Sequence, residues 1–234
     1  MKFSIVALCL LIFLCISPRS ASSGENDTYN FEWLDPDKVV YVLQNKAFEK
    51  KFTWYLNVGY GFSTDVDFQD AKTLQGKTGF YWAEEWGIEL LYSTVSNKDS
   101  QTMENISTNI AAVPFVRRLK GYYGGALIFA PFYGKINTFN QIFYYDLSFG
   151  LGVTQMEGET NMISFNAQDK NNTYTPENKI GYLFKGELRF YVTEMVNLNI
   201  DLIKMFYNVD SVRNPSKSLL LDYTDIIFAL GISI

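Results

Sequence analysis

Over residues 51–62 the chain alternates with period two. Phe52, Trp54, Leu56, Val58, Tyr60 and Phe62 fall on one parity, and Thr53, Tyr55, Asn57, Gly59 and Gly61 on the other. Successive side chains of an extended strand point to opposite faces, so such a segment has one apolar face and one mixed face. The pattern recurs over 71–82, 86–95, 121–133, 144–154, 180–192, 196–207 and 219–234, giving eight strands of 10 to 16 residues. Strands of soluble domains run to roughly five or six residues, whereas a tilted strand that crosses a bilayer takes about 9–11. Length and period together point to a barrel of membrane-crossing strands.

The connections support that reading. Residues 83–85 and 193–195 are tight turns and 134–142 is intermediate, while 63–70, 96–120, 155–179 and 208–218 are polar and mostly long. Short turns on one side and long polar loops on the other are the pattern of bacterial outer-membrane barrels. No later segment reaches eighteen uncharged apolar residues, so no transmembrane helix is expected.

Which face turns inward decides the class. In a soluble ligand-binding barrel the apolar face lines the cavity; in a membrane barrel it meets lipid. In the last strand Ile226, Phe228, Leu230, Ile232 and Ile234 share one face without a polar member. Tyr182, Phe184, Leu188, Phe190 and Val192 likewise oppose Lys185, Glu187 and Arg189, and Tyr145, Leu147, Phe149, Leu151 and Val153 oppose Asp146, Ser148, Gly150 and Gly152. The mixed faces hold Lys77, Glu89, Asp146, Lys185, Glu187, Arg189, Asp201 and Asp225. Eight strands leave an interior that side chains just fill, so these charges are expected as a salt-bridged plug. Trp54, Tyr60, Tyr81, Trp82, Trp86, Tyr92, Tyr133, Tyr144, Tyr191 and Tyr207 lie near strand ends and are expected in two interfacial girdles.

The first 23 residues read as an address. Lys2 is followed by an apolar run over 5–16, then Ser17-Pro18 and the small residues Ser20-Ala21-Ser22-Ser23, the layout of a secretory signal peptide. Ile12-Phe13-Leu14 before Cys15 argues against lipidation, since a small residue belongs at that place. Residues 24–50 form a turn-rich arm, acidic to Asp37, expected on the short-turn side, and 51–234 the barrel.

Composition removes whole classes of chemistry. The 234 residues include no histidine, and both cysteines, Cys9 and Cys15, lie in the leader. Histidine is the usual acid–base group near neutral pH and the commonest metal ligand. Without it and without downstream thiols, Ser–His and Cys–His hydrolases, His-ligated metal sites and a disulfide framework all drop out. Removing Lys2 and Arg19 from the 20 basic residues leaves 18 against 25 acids, a net charge of −7 with no basic run, which argues against nucleic-acid binding.

Several stretches carry a family likeness: Tyr41-Val42-Leu43-Gln44-Asn45-Lys46, Glu85-Trp86-Gly87-Ile88, Ala130-Pro131-Phe132-Tyr133-Gly134-Lys135 and Phe143-Tyr144-Tyr145-Asp146-Leu147. With them the chain resembles the outer-membrane β-barrel domain family of predatory and gliding Gram-negative bacteria, the myxobacterial and Bdellovibrio-like set. The resemblance implies an eight-stranded outer-membrane barrel, relatives tied to envelope or motility assemblies, and no catalytic residue. One departure is the terminal Ile234, where outer-membrane barrels commonly finish on an aromatic.

The expectation is an all-β, eight-stranded antiparallel up-and-down transmembrane barrel in the outer membrane, structural or interacting in role. No enzyme, cofactor, metal or catalytic residue is assigned. Its partners are expected to be outer-membrane lipid and other envelope proteins, reached through loops 96–120 and 155–179 or the arm 24–50. Two alternatives stay open: a secreted soluble β-barrel that binds a small apolar ligand, and a narrow outer-membrane conduit through Asp146, Glu89, Lys185, Glu187 and Arg189. Asp65, Asp67 and Asp70 read as a solvated acidic loop, since the spacing lacks an EF-hand's glycine and terminal glutamate. Glu84 and Glu85 read as turn solvation, and the Asn-X-Ser/Thr triplets at Asn26, Asn105 and Asn171 as chance matches.

Overall fold

The computed structural model describes residues 28–29, 40–41, 46–64, 66–106, 113–138, 141–167, 173–211 and 217–234. The expected leader, most of the arm, Asp65, and the triplets at Asn26 and Asn171 lie outside them. Two compact units divide between Ala47 and Phe48. In the first, β1 (Thr28–Tyr29) pairs antiparallel with β2 (Val40–Tyr41). The second starts at Phe48 and not at residue 51, because the residues just before the first long strand pack into the barrel. No helix among the described residues is long and apolar enough to cross a membrane.

The second unit is a closed barrel of β3 (Thr53–Ser63), β4 (Gln69–Tyr81), β5 (Trp86–Asp99), β6 (Arg117–Thr138), β7 (Gln141–Thr160), β8 (Thr175–Tyr191), β9 (Val196–Asp210) and β10 (Ser218–Ser233). Every neighbour is antiparallel and consecutive, and β10 closes onto β3. The register fixes the shape. From Thr53 the ladder passes through Tyr81, Gly87, Ile128, Gly150, Lys185, Ile203 and Asp225, and returns to β3 at Ser63, ten residues along. That stagger over eight strands tilts them by about 40° to the barrel axis. The ends meet tightly: the Trp54 and Ile234 backbones exchange two hydrogen bonds of 2.8 Å. A Cβ at Gly231 would overlap the Asn57 side-chain amide, so glycine is required where β10 passes it.

All eight expected strands are present, most of them longer than their alternation suggested. The 134–142 connection is no loop: β6 runs to Thr138 and β7 starts at Gln141, and this hairpin projects past the other short turns. Gly134 is covered there by the Tyr145 ring, a cross-strand contact that a β-carbon would block. The flanks of the loops 96–120 and 155–179 are strand as well, over 96–99, 117–120, 155–160 and 175–179, with α1 (Gln101–Asn105) and α2 (Met162–Ala167) in the loops themselves. Ser100 caps α1 by accepting from the Met103 N–H at 3.4 Å.

Burial matches the alternation. Trp54, Leu56, Val58, Tyr60 and Phe62 are 48–59% exposed, while Tyr55 and Asn57 between them are 2% and 0% exposed. The same inversion runs around the ring: Leu74, Ile88, Leu90, Tyr92, Leu151, Val153, Tyr182, Leu202 and Leu230 face outward. Among the described residues the buried core lies inside the barrel and fills its lumen.

Candidate functional site

The short-turn half of the lumen is held by six charges from four strands. Lys77 Nζ lies 2.6 Å from Asp201 Oδ2 and 2.8 Å from Glu187 Oε2. Lys185 Nζ bridges Glu89 Oε1 and Glu187 Oε2, each at 2.6 Å. Arg189 holds the other Glu187 oxygen with Nη2 at 2.8 Å, and its Nε donates to the same oxygen and to Asn199 Oδ1. The Arg189 guanidinium also sits 4.5 Å over the Tyr55 ring, and the Tyr55 hydroxyl donates to Glu89 Oε2 at 2.7 Å. Three cations face three acids, every one of them buried. Burying a lone ion costs several kcal/mol or more, so balance and multiple contacts are what make this core tenable. These are six of the eight charges expected inside.

Beneath this layer the lumen is corked from its own N-terminal side. Lys50 enters with its side chain 3% exposed and meets Asp146 Oδ2 at 2.8 Å. Phe48 stacks on Tyr191 with centroids 4.6 Å apart and meets Tyr144 edge-on at 5.3 Å. The Tyr191 hydroxyl donates to Asp146. The Glu84 carboxylate accepts from the Lys50 and Lys51 backbone N–H groups at 3.1–3.2 Å. Glu84 is therefore more than turn solvation: it ties the incoming segment to the β4–β5 turn. Sequence reasoning missed Lys50, because it precedes any alternation.

The expected girdles need correction for the same structural reason. Trp54, Tyr60, Trp82, Trp86 and Tyr92 lie on the outer wall, but Tyr81, Tyr133, Tyr144, Tyr191 and Tyr207 are on inward parity. Tyr81 follows the outward Phe80, and one step along a strand reverses the face. Of these five, the Tyr191 hydroxyl answers the buried Asp146 carboxylate, whereas an aromatic count near strand ends is blind to parity.

Above the charged layer the lumen changes character. Leu91, Leu183, Ile203 and Ile227 occupy the next inward positions on β5, β8, β9 and β10, each buried to 4% or less. Beside them Asp225 is fully buried and accepts from Ser63 at 2.5 Å, from Tyr122 at 2.7 Å and from Thr73 at 3.2 Å. No ion pair reaches it among the described residues. At the long-loop mouth, Arg117 pairs with Glu177 at 2.7 Å, Arg118 and Lys120 with Glu159, and Lys179 with Glu177 and Asp210. A pocket of about 20 Å³ remains there between Arg117, Met156, Glu177 and Tyr207, room for one water.

The remaining sequence candidates scatter. Asp67 and Asp70 are exposed, and Asn105 ends α1. The loops converge on a small cap: the Asn161 side chain accepts from Val116 N and donates to the Pro114 carbonyl, and Phe115 meets Phe165 edge-on at 5.8 Å.

The architecture defines an eight-stranded antiparallel up-and-down barrel with an apolar outer wall and a lumen closed at several levels. No protein-family model matches the chain, and no curated protein matches it. Solved barrels are similar in path. The neisserial surface protein A is 10% identical, covering 78% of this chain and 96% of its own at a TM-score of 0.46. The N-terminal β-barrel domain of Pseudomonas aeruginosa OprF is 8% identical over 79% and 98%, TM-score 0.45. The P. aeruginosa outer membrane protein OprG is 11% identical over 81% and 99%, TM-score 0.39.

Proposed function

We propose that the chain is an integral outer-membrane β-barrel protein with a structural or surface-interaction role and no catalysis. One observation carries this: the apolar face of every strand looks out while the charges fill the lumen, so the wall needs a hydrocarbon surround. A soluble barrel with a small apolar ligand needs the reverse arrangement, and this lumen offers no apolar cavity of ligand size among the described residues. The charged network, the apolar band and the Phe48–Lys50 cork stand in series, which disfavours the conduit reading. Residues 1–23 supply the export signal and 24–47 a periplasmic arm in this proposal. The narrower kinship with barrels of predatory and gliding Gram-negative bacteria rests on the stretches at 130–135 and 143–147, which form the projecting hairpin. Outer-membrane lipid is the first partner, and envelope proteins are met through the loops or the arm.

The test is fractionation followed by electrophoresis without and with boiling. The protein is expected in the outer-membrane fraction, as a band that resists SDS unheated and shifts on boiling. Recovery wholly in the soluble periplasm sinks the reading. In planar bilayers the wild type is expected to pass no steady current, and Glu187→Gln with Arg189→Gln is expected to leave that unchanged. A stable conductance lost in the double variant would restore the conduit.

A further inference from the structure

Ten residues of stagger leave the barrel's upper rim uneven. The β3–β10 ladder ends at Ser63 and Asp225, with one further bond from Thr64 N to the Thr224 carbonyl at 3.0 Å. β10 extends beyond it, paired to β9 all the way to Ser218. Along 218–223 its other edge therefore carries no backbone hydrogen bond among the described residues. Below Asp225 the strand alternates buried and exposed, but here Ser218, Leu219, Leu220 and Asp222 are all exposed, with Leu219 at 50% and Leu220 at 59%. This is a bare edge with apolar residues on both faces, about 20 Å long at the usual rise of a strand.

Soluble edges are ordinarily guarded by charge, proline or bulges. Across the gap β4 follows that rule: Asp70 and Lys72 stand exposed near its end. On the β10 edge the single charge is Asp222, and Lys204 already holds it at 2.6 Å. That outward ion pair also marks the wall as out of the hydrocarbon at this height, so lipid does not cover Leu219 and Leu220. A second copy does not fit either. Two copies inserted in the same sense are related by an axis along the membrane normal. Such an axis makes the tilted edges of two copies cross at twice their tilt, so they do not run alongside and no ladder forms.

We propose that the free edge of β10, residues 218–223, is a docking site on the long-loop side for an extended segment of another protein, taken up by β-strand addition. The segment supplies main-chain groups to the vacant edge, and its alternate apolar side chains lie against Leu219 and Leu220. The proposal rests on the outer-membrane reading above and gives that surface its mode of recognition.

The experiment uses the folded full-length barrel in detergent and a fluorescein-labelled peptide of alternating valine and threonine with a dilysine tail. Its control is the same peptide N-methylated at alternate amides. Anisotropy is expected to show binding to wild type, at least about tenfold weaker binding to Leu219→Lys/Leu220→Lys, and none of the N-methylated peptide. Hydrogen exchange on wild type is expected to slow over 218–223 with the first peptide alone, which keeps the test sound should the double variant misfold. Absence of binding to wild type, or binding indifferent to N-methylation, overturns the proposal. The unheated-gel shift of the same sample reports separately whether the barrel reading itself stands.

Discussion

The two halves of the lumen solve the same problem differently. Near the short turns, carboxylates meet ammonium and guanidinium groups at 2.6–2.8 Å, three against three, and Glu187 touches all three cations. Near the long loops, Asp225 meets the hydroxyls of Ser63, Thr73 and Tyr122 on β3, β4 and β6, and no cation among the described residues. The lower half is an electrostatic lock whose members depend on one another. Below the ion pairs of its mouth, the upper half is a set of hydrogen bonds around one acid, packed beside Ile203 and Ile227. Removing a member from each should therefore cost very different amounts.

Glu187→Ala should have the largest effect, because it leaves Lys77, Lys185 and Arg189 facing too little negative charge in a buried site. A loss of about 3–5 kcal/mol is expected, read as the urea midpoint of reversible folding into vesicles. Asp225→Asn comes next, at about 1–3 kcal/mol: the amide accepts fewer of the three hydroxyls but strands no cation. Equal losses for the two would erase the contrast between the halves. A smaller effect, about 1 kcal/mol, is expected for Glu84→Gln, which weakens two backbone hydrogen bonds at the cork and leaves Lys50 its partner Asp146. Protease accessibility at Lys50 and Lys51 in the folded barrel would report the loosened segment directly.

Strand number, order and facing were legible because lipid outside and packing inside force strict alternation along every strand. Lys77, Glu89, Asp146, Lys185, Glu187, Arg189, Asp201 and Asp225 all occupy the lumen for that reason. Their pairing was not legible. Lys77 meets Asp201 across 124 residues, a contact set by the ten-residue stagger, which only the closed register reveals. Lys50 and Glu84 escaped because neither lies in an alternating stretch. The inward tyrosines were misplaced because position along a strand was read without parity. The segment 134–142 looked like a loop since Gly134 leaves a gap in the apolar face and Lys135 and Asn137 are polar on the other, while the pairing of Ile136 with Phe143 continues.

The Lys204–Asp222 pair sharpens the comparison from outside the lumen. Its distance, 2.6 Å, matches the shortest contacts of the buried network, yet its side chains are 41% and 47% exposed. If distance alone set the value of an ion pair, breaking this one would rival breaking the lock. Water solvates both groups after the break, so Lys204→Ala should cost less than about 1 kcal/mol. The same urea titration, run at low and at high salt, checks this: the small loss should shrink further with salt, while the Glu187→Ala loss should persist because its charges are shielded from solvent. A Lys204→Ala loss as large as that of Glu187→Ala would mean that the outer pair is not in water, and the height assigned to the bare β10 edge would have to move into the hydrocarbon with it.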